Sequence, residues 1–195
     1  MKRRIILAST SPRRIDILSK TDLKFEIVAP EYDEEIHLDL TPLELVKYLT
    51  QKKAESVVYK YPDAIIISGD TIIALGEKVF GKPKTPERAK VMLTALSGTV
   101  HQVLTGFTIL DTKNKKIVTE ADVSNVYVKP VSEADIDAYI ATGEPLDKAA
   151  AYAIQGEAHK FIEKIEGDYL SIMGLPLARV IEALKEFGIF TNQRD

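Results

Sequence analysis

The chain has no cysteine among its 195 residues. That excludes a disulfide framework, a thiolate zinc site and a cysteine nucleophile. Its three histidines, His37, His101 and His159, show neither HxxxH nor HExxH spacing, so a zinc centre is not signalled. A GxSxG elbow, a GxGxxG turn and a GxxxxGK[ST] loop are all missing, which removes the P-loop and dinucleotide-binding signatures. No apolar run approaches the length of a membrane span. After the basic start "MKRR" only Ile5, Ile6, Leu7 and Ala8 follow as an apolar run, too short for the core of a secretion signal. A cytoplasmic location without membrane attachment is the expectation. The formal net charge of −3 argues against a nucleic-acid partner, while leaving room for a local basic pocket.

Hydrophobic residues make up 45% and charged residues 28%, ordinary values for a globular chain of this length with a real core. Short apolar runs at 5–8 and 64–68 read as strands buried on both faces. The segment 25–28 reads as a further strand. "TPLE" at 41–44 has the capping-box pattern with proline at the first helical position, opening a helix that is expected to reach about Tyr61. Thr85 and Pro86 open another helix, ending near Leu96. Two β-rich segments, 100–111 and 117–128, flank the polar turn "DTKNKK". Ser132 caps a helix that ends near Gly143, 161–165 reads as a strand, and a last helix starts after Pro176 and stops before Gly188. Strands alternate with helices around one long antiparallel pair, so the expectation is an α/β fold with a mixed sheet. With no repeat or linker, 1–195 reads as a single domain, with two lobes around a cleft.

Three stretches carry chemistry. "STSPRR" at 9–14 sits where a strand runs into a helix, with Ser11 as N-cap and Pro12 as first residue. Free backbone N–H groups there attract anions. Ser9 and Ser11 add hydroxyls, and Arg13 and Arg14 add forked cations suited to phosphate oxygens. Arginine in a first turn opposes the helix dipole, so local stability does not account for it. A capped helix with two solvated arginines is the plainer alternative. In "SGDTIIALGEKVFGKP", 68–83, Asp70 lies just past an apolar run, where a strand end opens into a crevice. Lys82 lies between a flexible glycine and a rigid proline. If 72–75 and 78–80 form a returning strand pair, Lys82 comes back toward Asp70, and a carboxylate with a lysine suits a metal-bound phosphate. Taken singly, they also read as a turn aspartate and a surface lysine. In "DKAAAYAIQGEAHKFI", 147–162, Gln155 offers the paired donor and acceptor that a nucleobase edge needs, or serves as a structural amide. The acidic run at 33–35 and the pair Lys52 and Lys53 read by themselves as solvated surface.

"LASTSPRR", "GDTIIALGEKVFGKP", "LSGTVHQVLTG", "EPLDKAAAYAIQG" and "GLPLARV" occur in that order along nearly the whole chain. Together they resemble the Maf family of nucleoside triphosphate pyrophosphatases. The resemblance implies an α/β fold with a cleft between two lobes, related to the inosine triphosphate pyrophosphatases. It implies hydrolysis between the α and β phosphates to a monophosphate and pyrophosphate, with a divalent cation, Mg2+ or Mn2+. The family's functional positions fall on Ser9, Arg13, Arg14, Glu34 (with Asp33 or Glu35 as alternatives), Lys53, Asp70 and Lys82. Glu34 and Asp70 would hold the metal, and Asp70 is favoured for activating water. Lys53 and Lys82 would neutralise the leaving pyrophosphate.

The family divides by substrate. Arg13, Thr71 and Gln155 match the branch acting on dTTP, UTP and modified pyrimidine nucleotides. The 7-methyl-GTP branch carries acids at the last two positions. A departure stands at 147–156, where Ala150 and Ala153 replace family glycines; alanine resists positive φ, so that loop is expected to sit differently. A 7-methyl-GTP pyrophosphatase and a non-hydrolysing nucleotide-binding regulator of cell division remain the alternatives. A homodimer is the base-rate assembly.

Overall fold

The computed structural model describes residues 3–32 and 38–194. β1 (Arg4–Ala8) and β3 (Ala64–Leu75) pair in parallel, Arg4 opposite Ala64 through Ala8 opposite Ser68. β2 (Glu26–Val28) adds in parallel on the other side of β1. Parallel strands covered on both faces need continuous apolar runs. "IILA" and "AIIIS" are those runs, with Ile6, Leu7, Ile65, Ile66 and Ile67 fully buried. β5 (Val100–Asp111) and β6 (Ile117–Val128) are joined by a short turn in which the Asp111 N–H donates to the Lys116 carbonyl at 2.8 Å. A parallel pair would need a far longer crossover, so this pair is antiparallel. With β4 (Lys78–Phe80) and β7 (Ile162–Glu166) the sheet has seven strands. The order is β2-β1-β3-β5-β6-β7, with β4 returning antiparallel against the end of β3. The fold is therefore a mixed α/β sheet with flanking helices.

The chain forms two compact units. The first comprises Met1–Thr71, Thr105–Asp122 and Leu170–Asp195; the second comprises Ile72–Leu104 and Val123–Tyr169. The first holds β1, β2, most of β3 and the helices α1 (Pro12–Leu18), α2 (Pro42–Glu55) and α6 (Leu177–Lys185). Most of the short helix α5 (Tyr169–Met173) also belongs to it. α2 opens with the expected reciprocal capping box between Thr41 and Glu44 and buries Leu45, Val46, Leu49 and Ala54. It stops at Glu55, six residues short of the expected end, and a 3-10 turn at Val58–Lys60 follows. The Ser56 hydroxyl donates back to the Lys53 carbonyl at 2.9 Å, and two valines of low helix propensity come next. α1 ends at Leu18, whose carbonyl accepts from the Thr21 hydroxyl at 2.7 Å.

The second unit holds β4, β7, α3 (Pro86–Leu96) and α4 (Glu133–Ala141), capped by Thr85 and Ser132 as the sequence indicates. Three short 3-10 segments follow α4, at Glu144–Asp147, Ala149–Ala151 and Glu157–Phe161. Ala150 does what its side chain resists: it holds φ +54°, and Ala151 holds φ +63°. Left-handed backbone costs a residue with a Cβ about 1–2 kcal/mol. Among the described residues no helix is long and apolar enough to cross a membrane.

Candidate active site

β3 places the acid. The apolar run does not end at Ser68 with a crevice beyond it, as the sequence suggested. It continues as one strand through Gly69, Asp70 and Thr71 to Leu75, so Asp70 lies mid-strand and is 7% exposed. A carboxylate at such depth needs partners. Lys53 supplies one, its Nζ donating to Asp70 Oδ2 at 2.9 Å. The backbone N–H of Thr71 donates to Oδ1 at 2.8 Å, and Arg14 Nη2 stands 3.7 Å from the same oxygen.

Lys53 reaches Asp70 because α2 lies close on the sheet. Gly106 on β5 makes the approach feasible: a Cβ there would stand 2.8 Å from the Val46 carbonyl oxygen and 3.0 Å from Thr50 Cγ2. One turn before Lys53, Thr50 and Ser68 lock helix to strand. The Ser68 hydroxyl donates to the Thr50 carbonyl at 2.6 Å, and the two hydroxyls stand 3.1 Å apart. Lys53 is therefore buried, not part of a solvated helix face.

Arg14 comes from α1 and is held by its surroundings. Nε donates to the Gly174 carbonyl at 2.8 Å, Nη2 to Thr71 Oγ1 at 3.2 Å and Nη1 to Ser9 Oγ at 3.5 Å. Gly69 leaves space for its stem; a Cβ at that position would lie 3.3 Å from Nε. Ser9 is buried and also accepts from the Ser11 N–H at 3.2 Å. Ser11 is the N-cap of α1 by position, but its side chain makes no capping bond, and the first turn has no acid. Arg13 is exposed on the same turn. The structure thus brings Ser9, Arg14, Lys53, Asp70 and Thr71 into one cluster. Among the described residues the cluster sets two cations beside one carboxylate, and a forked guanidinium suits phosphate oxygens. Thr71, one of the positions that match the pyrimidine branch, has its hydroxyl bonded to Arg14 and 3.0 Å from that of Thr105.

Two predicted residues lie in the second unit. Lys82 is exposed, between Gly81, whose carbonyl accepts from the Ala150 N–H at 3.0 Å, and the buried Pro83. Its charge acts on Asp147, whose carboxyl is held below its ordinary range chiefly by the hydrogen bond from Lys148. Gln155 lies in an exposed bend, and its Nε2 donates to the Tyr169 hydroxyl at 3.4 Å. Glu34, with Asp33 and Glu35, lies outside the described residues. Reading the sequence residue by residue does not single out Thr105, Ser171 or Gly174, although Thr105 and Gly174 fall within the quoted motifs "LSGTVHQVLTG" and "GLPLARV".

As to a metal, Asp70 is the one acid in this cluster among the described residues. Its two oxygens already meet a lysine and a backbone N–H, yet a carboxylate has about four acceptor sites, so coordination capacity remains. No group of three His, Cys, Asp or Glu side chains able to cage an ion exists among the described residues. Magnesium typically binds one or two carboxylates together with substrate phosphate oxygens, and the residues present fit that arrangement.

A family model described as Maf-like protein matches residues 4–187. The dTTP/UTP pyrophosphatase of Geobacillus sp. (strain WCH70) is 43% identical over 186 residues, covering 95% of this chain and 99% of its own. That of Alkaliphilus metalliredigens (strain QYMF) is 45% identical over 188 residues, covering 95% and 97%. Among solved structures, the Ham1 protein of Staphylococcus aureus aligns over 96% of this chain and 100% of its own, with TM-score 0.50 and 14% identity, a likeness of fold alone. The match along 4–187, with relatives of this identity over nearly their whole length, means that the chain belongs to the Maf-like protein family.

Proposed function

We propose that this protein is a nucleoside triphosphate pyrophosphatase that hydrolyses dTTP and UTP to the monophosphate and pyrophosphate. The observation that carries the reading is the run of relatives named dTTP/UTP pyrophosphatase, 41–45% identical over nearly the full chain. The cluster around Asp70 supports it. Triphosphate hydrolysis asks a protein mostly for positioning and for stabilisation of charge on oxygen. Ser9, Arg13 and Arg14 cradle phosphate oxygens, one arginine anchored and the other exposed. Asp70 accepts a proton from the attacking water. The water oxygen then bonds to phosphorus at the α–β linkage, the bridging P–O bond breaks, and pyrophosphate departs with the bonding pair. Lys53 holds the Asp70 carboxylate in place, and Lys82 compensates charge on the departing pyrophosphate.

A divalent cation, Mg2+ or Mn2+, held by Asp70 with Glu34 and by the phosphates themselves, supplies charge neutralisation when bound. Gln155 reads the base edge through its amide. A cytoplasmic setting and a homodimer complete the reading. The test is pyrophosphate release over canonical and modified triphosphates with each cation. The expected result is preference for dTTP and UTP. Preference for 7-methyl-GTP, or nucleotide binding without turnover, refutes it.

A further inference from the structure

Thr71 on β3 and Thr105 on β5 bring their hydroxyl oxygens within 3.0 Å of each other. Distance alone does not say which donates, but a count of protons does. Thr105 is fully buried, and its single hydroxyl proton goes to the Ser171 carbonyl at 2.7 Å. Toward Thr71 it is therefore an acceptor. The Thr71 proton is committed to Thr105, and the Thr71 oxygen accepts from Arg14 Nη2 at 3.2 Å. The order is Arg14 to Thr71 to Thr105 to the carbonyl of Ser171, every bond running the same way. Ser171 lies in α5, and the Gly174 carbonyl just beyond that helix accepts from Arg14 Nε at 2.8 Å. One short helix and its exit thus grip the guanidinium twice, directly and through two hydroxyls. Gly174 holds φ +125°, which strains any residue with a Cβ, so the carbonyl's direction is set by backbone that only glycine adopts readily.

We infer that Thr105 and Thr71 are positioning residues for Arg14, a directional relay that fixes the guanidinium beside Asp70. With its one proton committed to Thr105, the Thr71 hydroxyl faces the rest of the site as an acceptor. The inference rests on the site being the triphosphate site proposed above.

The test uses Thr105→Val and Thr71→Val, near-isosteric losses of the hydroxyl, with Thr105→Ser and Thr71→Ser as restoring variants. Kinetics of pyrophosphate release are measured with dTTP, UTP and dGTP, alone and in an Arg14→Ala background. Each valine variant is expected to lose about 10- to 100-fold in kcat/KM, alike for the three nucleotides. The serine variants recover most of that loss. In the Arg14→Ala background the valine substitutions add less than about 2-fold, because the group they orient is gone. A wild-type rate in both valine variants overturns the relay, as do losses that multiply with Arg14→Ala. A change of 10-fold or more in base preference on Thr71→Val that persists in the Arg14→Ala background assigns Thr71 to the base and overturns the relay. Thr71 is only partly buried, so its variant carries the test if Thr105→Val does not fold. Should the wild type release no pyrophosphate, the functional reading fails separately. The affinity of the same variants for inorganic tripolyphosphate then reads the orientation of Arg14, with the same non-additivity expected and multiplying losses refuting the relay.

Discussion

Asp70→Asn separates chemistry from binding at this site. Asparagine keeps the shape of the side chain and removes its charge. Asp70 now receives two donors on two oxygens, Lys53 Nζ at 2.9 Å and the Thr71 N–H at 2.8 Å. The amide has only one oxygen, so its NH2 must face one of those donors. Both members of the ion pair have side chains no more than 10% exposed. Removing one partner of a buried pair costs about 3–5 kcal/mol, and the retained hydrogen bond puts this variant near about 3 kcal/mol. For a chain of this size that is a fall in Tm of about 6–12 °C. The loss of proton-accepting capacity acts on turnover, lowering kcat by about 100-fold or more, a barrier increase of about 3 kcal/mol. Triphosphate affinity moves the other way or not at all, since a negative charge has left a cationic pocket. The assay is kcat by pyrophosphate release beside Kd by calorimetry, on protein shown to be folded at the assay temperature. A kcat equal to wild type refutes the catalytic assignment. A large rise in Kd with kcat retained would make Asp70 a binding group.

The two arginines should differ in kind. Arg14→Lys keeps charge but loses the fork shared among Gly174, Thr71 and Ser9, and is expected to lower kcat/KM about 10-fold or more, whereas Arg13→Lys chiefly raises KM; equal effects on both parameters would contradict this. Burial depresses the His101 pKa from 6.5 to about 4. Its stabilising effect is full above 6.5 and is lost as pH falls toward 4, because the unfolded chain binds the proton first; denaturation midpoints should show a loss of about 3 kcal/mol across that window, flattened in His101→Gln. Gly156→Ala puts a Cβ into the Glu144 carboxylate, which accepts from the Tyr139 hydroxyl, at φ +121°; a loss of about 3 kcal/mol in urea unfolding is expected. Removing divalent cations with EDTA should abolish turnover and excess Mg2+ restore it, with full activity in EDTA as the refuting result.

What the sequence revealed followed the range of the forces involved. The buried runs of β1 and β3, the capping box of α2 and the hairpin turn are local patterns, and they sit where the pattern places them. The end of α2 was overextended because apolar periodicity continues through Val57, while the Ser56 side chain takes a helix carbonyl. Asp70 is legible as a site acid but not in its place: the apolar run stops at Ser68, and only the packed structure shows the strand continuing while Gly69 makes room for the Arg14 stem. Lys53 in isolation looks solvated. Its burial depends on Gly106, more than fifty residues along the chain, letting α2 approach the sheet. Thr105 and Gly174 fall within quoted motifs, but nothing local marks their role, since each matters through a partner far along the chain.

That distribution has a physical logic. A flexible cation that must be immobilised when a polyanion binds loses side-chain entropy at that moment, about 0.5–1.5 kcal/mol for each long side chain. Arg14 has met that cost during folding, through a carbonyl and hydroxyls aimed at it from β1, β3 and the exit of α5. Arg13, exposed one residue earlier, has not. An anchored arginine stabilises charge at a defined point, where bond breaking needs it. A mobile one adapts to phosphates as they arrive and contributes mainly to capture. The buried Lys53–Asp70 pair follows the first pattern: its desolvation is offset by folding, and the carboxylate is already oriented when substrate arrives. The residues that set these orientations are hydroxyls and glycines without charge of their own, and for that reason the chemistry-bearing side chains stand out in the sequence while their supports do not.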